Sequence, residues 1–128
     1  MGDGLQEGIE YGPLANKMQF DKVKDIVEDA KSKGAKIHCG GSTMDGKGFF
    51  YKPTIVTGVK EGIRLWDEEQ FGPVLPIAPF STDQEAIDCA NNSVYGLGGS
   101  VWSKDVAVAN EMAGKILSGT VWVNQHTK

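Results

Sequence analysis

The chain lacks any apolar run near the roughly 18 to 20 residues that a membrane-spanning helix needs, and its longest hydrophobic stretches are a few residues each. A membrane partner is therefore not expected. A basic cluster is also missing. The 13 Lys and Arg are outnumbered by 17 Asp and Glu, for a formal net charge of −4. Lys17, Lys22, Lys24, Lys31, Lys33 and Lys36 are interleaved with carboxylates and read as a solvated helix face. A nucleic-acid partner, which needs clustered cations to neutralise phosphates, is excluded on that ground. The start, Met1-Gly2-Asp3-Gly4, has neither the basic residues nor the apolar stretch of a secretion signal. Cysteine is scarce: Cys39 and Cys89 form no C-x-x-C pair and have no metal-type spacing to a histidine, so no metal site is expected. Two such thiols point to a reducing compartment, here the cytoplasm. The glycines at 96, 98 and 99 are not followed by the Gly-Lys-Ser/Thr of a phosphate loop, and are expected to let the chain turn and pack closely before a strand.

What is present is a globular composition with mixed secondary-structure signals. Hydrophobic residues make up 40% and charged residues 23% of 128 positions, a length suited to one domain with a core of its own. Residues 1–13 read as loop, ending at Gly12-Pro13. From Asn16 to Lys33, Phe20, Val23, Ile26, Val27 and Ala30 recur at helical spacing, and Gly34 stands where a helix C-cap belongs. A strand is expected over 35–39, then turns at Gly40-Gly41 and Asp45-Gly46-Lys47-Gly48. Strand pieces follow at 49–51 and 54–57, with Pro53 favouring an edge position. Residues 66–72 are acidic and irregular, and 74–80 extended. Helices are expected over 82–91 and 104–117, and strands over 100–102 and 120–124. Alternating helices and strands predict an α/β fold, a layered α/β/α arrangement with a mostly parallel sheet. No internal repeat or second domain is evident, so 1–128 is read as a single unit. Trp66, Trp102 and Trp122 are expected to be packing residues, and each cysteine a small buried hydrophobe. His38 and Cys39, adjacent on a strand, point to opposite faces and make a poor dyad.

The stretch with the most chemistry is Asp67-Glu68-Glu69-Gln70-Phe71-Gly72-Pro73-Val74. Two carboxylates precede an aromatic ring, a Gly-Pro break and a strand. A carboxylate at a strand end of an α/β sheet can accept both hydroxyls of a ribose, and a flat ring two residues on can pack against a base or nicotinamide. The plain alternative is a solvated acidic loop beside a core phenylalanine.

This stretch resembles the E-E-x-F-G-P-V signature of aldehyde dehydrogenases. Gly2-Asp3-Gly4, Gly12-Pro13-Leu14, Gly40-Gly41, Phe50-Tyr51-Lys52-Pro53-Thr54, Tyr95-Gly96-Leu97 with Val101-Trp102, and Gly119-Thr120-Val121-Trp122-Val123-Asn124 are similar to further family segments and come in the family's order. The resemblance covers nearly the whole chain. It implies NAD or NADP as cofactor, an aldehyde as substrate, and part of the catalytic domain as fold. It also implies that Glu69 contacts the nicotinamide ribose and that Phe71 lies beside the nicotinamide. Gln19 and Lys22, in the Q-F-x-K stretch, match positions that approach the cofactor ribose in relatives; a polar helix face explains them equally well.

The departures from the family matter as much. Its nucleophile is a cysteine in a G-Q-x-C context, and neither His38-Cys39-Gly40 nor Asp88-Cys89-Ala90 has it. No residue here is therefore assigned a catalytic role. The E-L-G-G glutamate, the dinucleotide-binding domain and the P-F-G-G segment with its oligomerisation strand are not matched either. The chain is expected to be an inactive piece of a longer enzyme, drawn from the C-terminal part of the catalytic domain. It is also expected to self-associate through apolar surface. Two alternatives stay open: a stand-alone non-catalytic module that binds or assembles, and a CoA-acylating or acyl-phosphate-reducing relative.

Overall fold

A computed structural model describes residues 1–126 as a mixed α/β protein with parallel strand pairs. In chain order the elements are α1 (Lys17–Ser32), β1 (Lys36–Cys39), β2 (Thr54–Thr57), α2 (Arg64–Asp67), β3 (Val74–Ile77), α3 (Asp83–Asn91), β4 (Gly98–Val101), α4 (Val106–Ala113) and β5 (Thr120–Val123). Composition shows no break near Ala78, yet the contacts divide there into two compact units, Met1–Ala78 and the stretch from Pro79 onward. None of the helices among the described residues is long and apolar enough to cross a membrane.

The first unit is built on α1. The Asn16 side chain accepts a hydrogen bond from the Gln19 amide at 2.9 Å, which satisfies one of the orphan donors at the helix start. At the other end Gly34, at a φ of 88°, lets the chain reverse. The Ala35 amide then returns to the Ala30 carbonyl at 2.9 Å and the Gly34 amide to Lys31 at 3.0 Å. That pair of bonds is a Schellman cap, and it delivers the chain directly into β1. The predicted apolar face is the buried one: Val23, Ile26, Val27 and Ala30 are fully buried, with Phe20 packed beside them. They meet Tyr51, Val56, Val59, Ile63, Leu65 and Val74 in one core.

The sheet of this unit has the order β1-β2-β3, with β1 antiparallel and β3 parallel to β2. Two expectations are corrected here. Pro53 does not mark an edge, because it precedes β2 rather than interrupting it, so the central strand loses no ladder bond. Pro76 is the in-strand proline, and it lies in β3, at the end of the sheet's order. Residues 49–51 do not form a strand. Only an isolated bridge between Thr43 and Tyr51 survives, since the glycine-rich turn before them leaves no partner strand. The short α2 was not expected, because four residues are too few to show a period.

In the second unit β4 and β5 pair in parallel, and α4 connects them. Thr82 caps α3 by accepting from the Glu85 amide at 3.1 Å, and Asp105 caps α4 through the amides of Ala107 and Val108. The latter helix is shorter than predicted. After Ala113 the chain tightens into three-residue turns, Lys115 to Met112 and Ile116 to Ala113. Strand β4 begins two residues early, at Gly98, because Trp122 lies across it: a Cβ there would sit 2.8 Å from the indole Cζ3. Trp122 and Trp66 pack as expected, but Trp102 follows the strand and is largely exposed.

Candidate functional site

The acidic motif starts on α2 and runs into β3. Its two glutamates go separate ways. Glu68 is gripped by Arg64, four residues earlier, through Nε–Oε1 at 2.6 Å and Nη2–Oε2 at 3.2 Å. The guanidinium holds the Glu68 carboxyl below the usual carboxylate range and is itself raised by the pairing. The Arg64 amide donates to Asp29 on α1, whose carboxyl is also lowered, chiefly by its bond to Lys33. Glu68 is thus part of the frame. Glu69, the next residue, is exposed and lies on the rim of an open cleft of about 480 Å³.

That cleft is bordered by residues 11–14 and Tyr51 on one side and by residues 69–73 on the other. Phe71 is 73% exposed, so its ring is offered to the cleft instead of to the core, contrary to the plain reading of a core phenylalanine. Its backbone is in the left-handed region, with φ at 49°. The loop is fastened from two directions. From α1, the Gln19 side-chain amide donates to the Gln70 carbonyl, and Lys22 Nζ donates to the Glu69 carbonyl at 2.7 Å. From within, Gln70 Oε1 accepts from the Gly72 amide and its Nε2 donates to the Val74 carbonyl at 2.7 Å. Gly72 closes against α1, where any side chain would collide with Val23.

The structure therefore brings Gln19, Lys22, Glu69 and Phe71 together at one place. The two α1 residues meet the loop through its main chain. Sequence reasoning missed the roles of Arg64 and Gln70. The Arg64–Glu68 spacing of four was a readable signal; nothing in the residue order announced the turn that Gln70 closes.

The cysteines do not behave as buried hydrophobes. Both are exposed. Cys39 ends β1 after a bulge in its pairing, with Sγ 3.8 Å from the Pro53 carbonyl, while His38 Nε2 contacts Thr57 Oγ1 at 2.7 Å. They engage different partners, as expected for neighbours on a strand. Cys89 lies two positions beyond Ile87, the one buried residue of α3, and so faces away from it. Among the described residues, no three His, Cys, Asp or Glu side chains are grouped to hold a metal.

Comparison with known proteins points to one family. The chain is 44% identical over 124 residues to aldehyde dehydrogenase 1A1 of Gallus gallus, covering 97% of this chain and 24% of that protein. It is 45% identical over 126 residues to the peroxisomal aminoaldehyde dehydrogenase 2 of Pisum sativum, covering 97% and 25%. Among solved structures, the NAD+ complex of aldehyde dehydrogenase from Bacillus cereus matches with a TM-score of 0.94 at 38% identity, over 99% of this chain and 26% of that one. The chain thus spans about a quarter of the length of these relatives. The sequence model of the aldehyde dehydrogenase family matches residues 1–128, end to end, and with these likenesses it shows that the chain belongs to the aldehyde dehydrogenase family.

Proposed function

We propose that this chain is a segment of an NAD(P)-dependent aldehyde dehydrogenase that oxidises an aldehyde to a carboxylic acid. It belongs to the C-terminal part of the catalytic domain and supplies the grip on the nicotinamide end of the cofactor. The observation that carries this reading is the pairing of an exposed Glu69 with an exposed Phe71 ring on one fastened loop beside an open cleft. A carboxylate and a flat aromatic ring fit a ribose diol and a planar ring system. Glu69 would accept the ribose hydroxyls, and Phe71 would pack beside the nicotinamide. Gln19 and Lys22 would hold the loop through its carbonyls, with their remaining polar surface toward the ribose. When bound, the cofactor would supply the hydride acceptor.

No residue of this chain is assigned as nucleophile. Cys39 and Cys89 lack the family context, so the nucleophile is assigned to a segment outside this sequence and the isolated chain is inactive. The thiols suit a reducing compartment, and we place the protein in the cytoplasm. Nucleic acid and membrane are not assigned as partners. Self-association is: Ile55, Leu75 and Ile77 are exposed on β2 and β3, and apolar surface of this kind drives association.

The test is titration of the chain with NAD+ and NADP+, followed by amide NMR, alongside a turnover assay with several aldehydes. Shifts confined to residues 69–73 and the start of α1, removed by Glu69→Gln, are expected, with no turnover. Turnover abolished by changing Cys39 or Cys89 would overturn the assignment of the nucleophile to another segment.

A further inference from the structure

We propose that Gln70 is a positioning residue: its side chain holds Phe71 in a left-handed backbone conformation and so fixes the direction in which the exposed ring points. The role rests on the reading of Phe71 as the ring beside the cofactor.

A bulky residue at positive φ is strained, because its Cβ crowds its own backbone. Phe71, at a φ of 49°, is one of two non-glycine residues in that region among the described residues. Burial of the ring does not offset the strain, since the ring is 73% exposed. Something else must hold the turn, and the surrounding hydrogen bonds do so. Gln70 lies immediately before Phe71, and its side chain reaches past it to both main-chain groups beyond. Oε1 accepts from the Gly72 amide, and Nε2 donates to the Val74 carbonyl at 2.7 Å. On the other side the Gln70 carbonyl is held by Gln19, and the Glu69 carbonyl by Lys22. The peptides flanking Phe71 are thus tied at both ends, and only its side chain is left outside.

The chemistry required at position 70 is specific. The side chain must offer an acceptor and a donor on one planar group, long enough to span two residues. Glutamate keeps the acceptor for Gly72 but has no donor for Val74 when ionised. Alanine keeps neither. Gln70 therefore acts on the cofactor through Phe71, without touching it.

The experiment is amide hydrogen exchange by NMR on this chain, comparing Gln70→Ala, Gln70→Glu, Phe71→Gly and the double variant Gln70→Ala/Phe71→Gly, each with and without NAD+. In Gln70→Ala the Gly72 amide is expected to exchange faster by about tenfold, the release corresponding to one left-handed residue, while Val27 and Val56 keep their protection. Gln70→Glu, which retains the acceptor, keeps most of the Gly72 protection and covers the case in which Gln70→Ala does not fold. In the Phe71→Gly background, where positive φ carries no penalty, Gln70→Ala changes Gly72 exchange less. Unchanged Gly72 exchange in Gln70→Ala overturns the role, as does an equal change in both backgrounds, since Gln70 would then cap Gly72 without holding Phe71. The NAD+ arm reads the other claim separately: in the wild-type chain, saturation transfer to the nicotinamide protons is expected and is weakened in Gln70→Ala. Its absence from the wild type counts against the cofactor reading alone.

Discussion

Gly72 and Val23 are in such close contact that a Cβ added to Gly72 would stand 2.6 Å from Val23 Cγ2. The loop that carries Glu69 and Phe71 is thereby seated directly on α1. Val23 is β-branched and fully buried, so it has no free rotamer to retreat into. Gly72→Ala is expected to destabilise the first unit by about 1–3 kcal/mol, the usual cost of overpacking a filled site. Urea unfolding with an unchanged m-value would measure it, and a loss below a few tenths of a kcal/mol would show that the loop can lift off the helix at little cost.

Tyr51 sets an alkaline limit on stability. Its ring is 2% exposed and its hydroxyl has no hydrogen-bond partner. Burial, with Glu28 adding negative potential, pushes its pKa up to about 12 from 10.0. A phenol whose folded pKa is raised contributes stability that is full below the unfolded pKa, near 10, and is lost as pH rises toward 12. The expected loss between pH 10 and 12 is on the order of 2–3 kcal/mol. Tyr51→Phe should remove that slope and be neutral or stabilising near pH 7, because a buried unpartnered hydroxyl goes with it. Equal alkaline slopes in the two proteins would refute this.

Thr54 ties β2 to the turn after β1. Its Oγ1 accepts from the Gly41 amide at 2.8 Å and donates to the Lys52 carbonyl at 2.6 Å. Thr54→Val keeps the shape but strands both main-chain groups, and is expected to cost about 1–3 kcal/mol. Thermal unfolding at neutral pH checks it.

Association is the fourth expectation. Leu75 is 58% and Ile77 46% exposed on β3. Leu75→Lys is expected to shift the chain toward monomer in light scattering as concentration rises, with far-ultraviolet circular dichroism unchanged. A wild-type chain that stays monomeric at high concentration would remove this apolar surface from consideration as an interface.

Much of the fold was legible because its signals are local. The spacing from Phe20 to Ala30 and the glycine at 34 fixed α1, and Thr82 marked the start of α3. Apart from α2, which is too short to show a period, the misread strands share a different origin: they depend on how strands begin and pair. Whether Pro53 breaks a strand depends on where β2 begins, and β2 begins one residue later. The run Phe49-Phe50-Tyr51 has strand composition but only Thr43 to bridge with. Gly98 has poor strand propensity and yet pairs with Thr120, because Trp122 covers it. At the site, chemistry suggested that a carboxylate and a ring mattered, and family resemblance chose Glu69 over Glu68. Arg64, four residues upstream, holds Glu68 in the frame, and that i, i+4 spacing was a legible signal in the residue order.

The boundary at Ala78 has a consequence for biosynthesis. Strands β1, β2 and β3, the helix that covers them and the turn bearing Phe71 all come from residues up to Ala78. A nascent chain therefore holds every element of that unit before Pro79 is added, and sequential domain-wise folding on the ribosome lets it consolidate first. The turn that carries Phe71 would be shaped early, while the rest of the polypeptide is still being made.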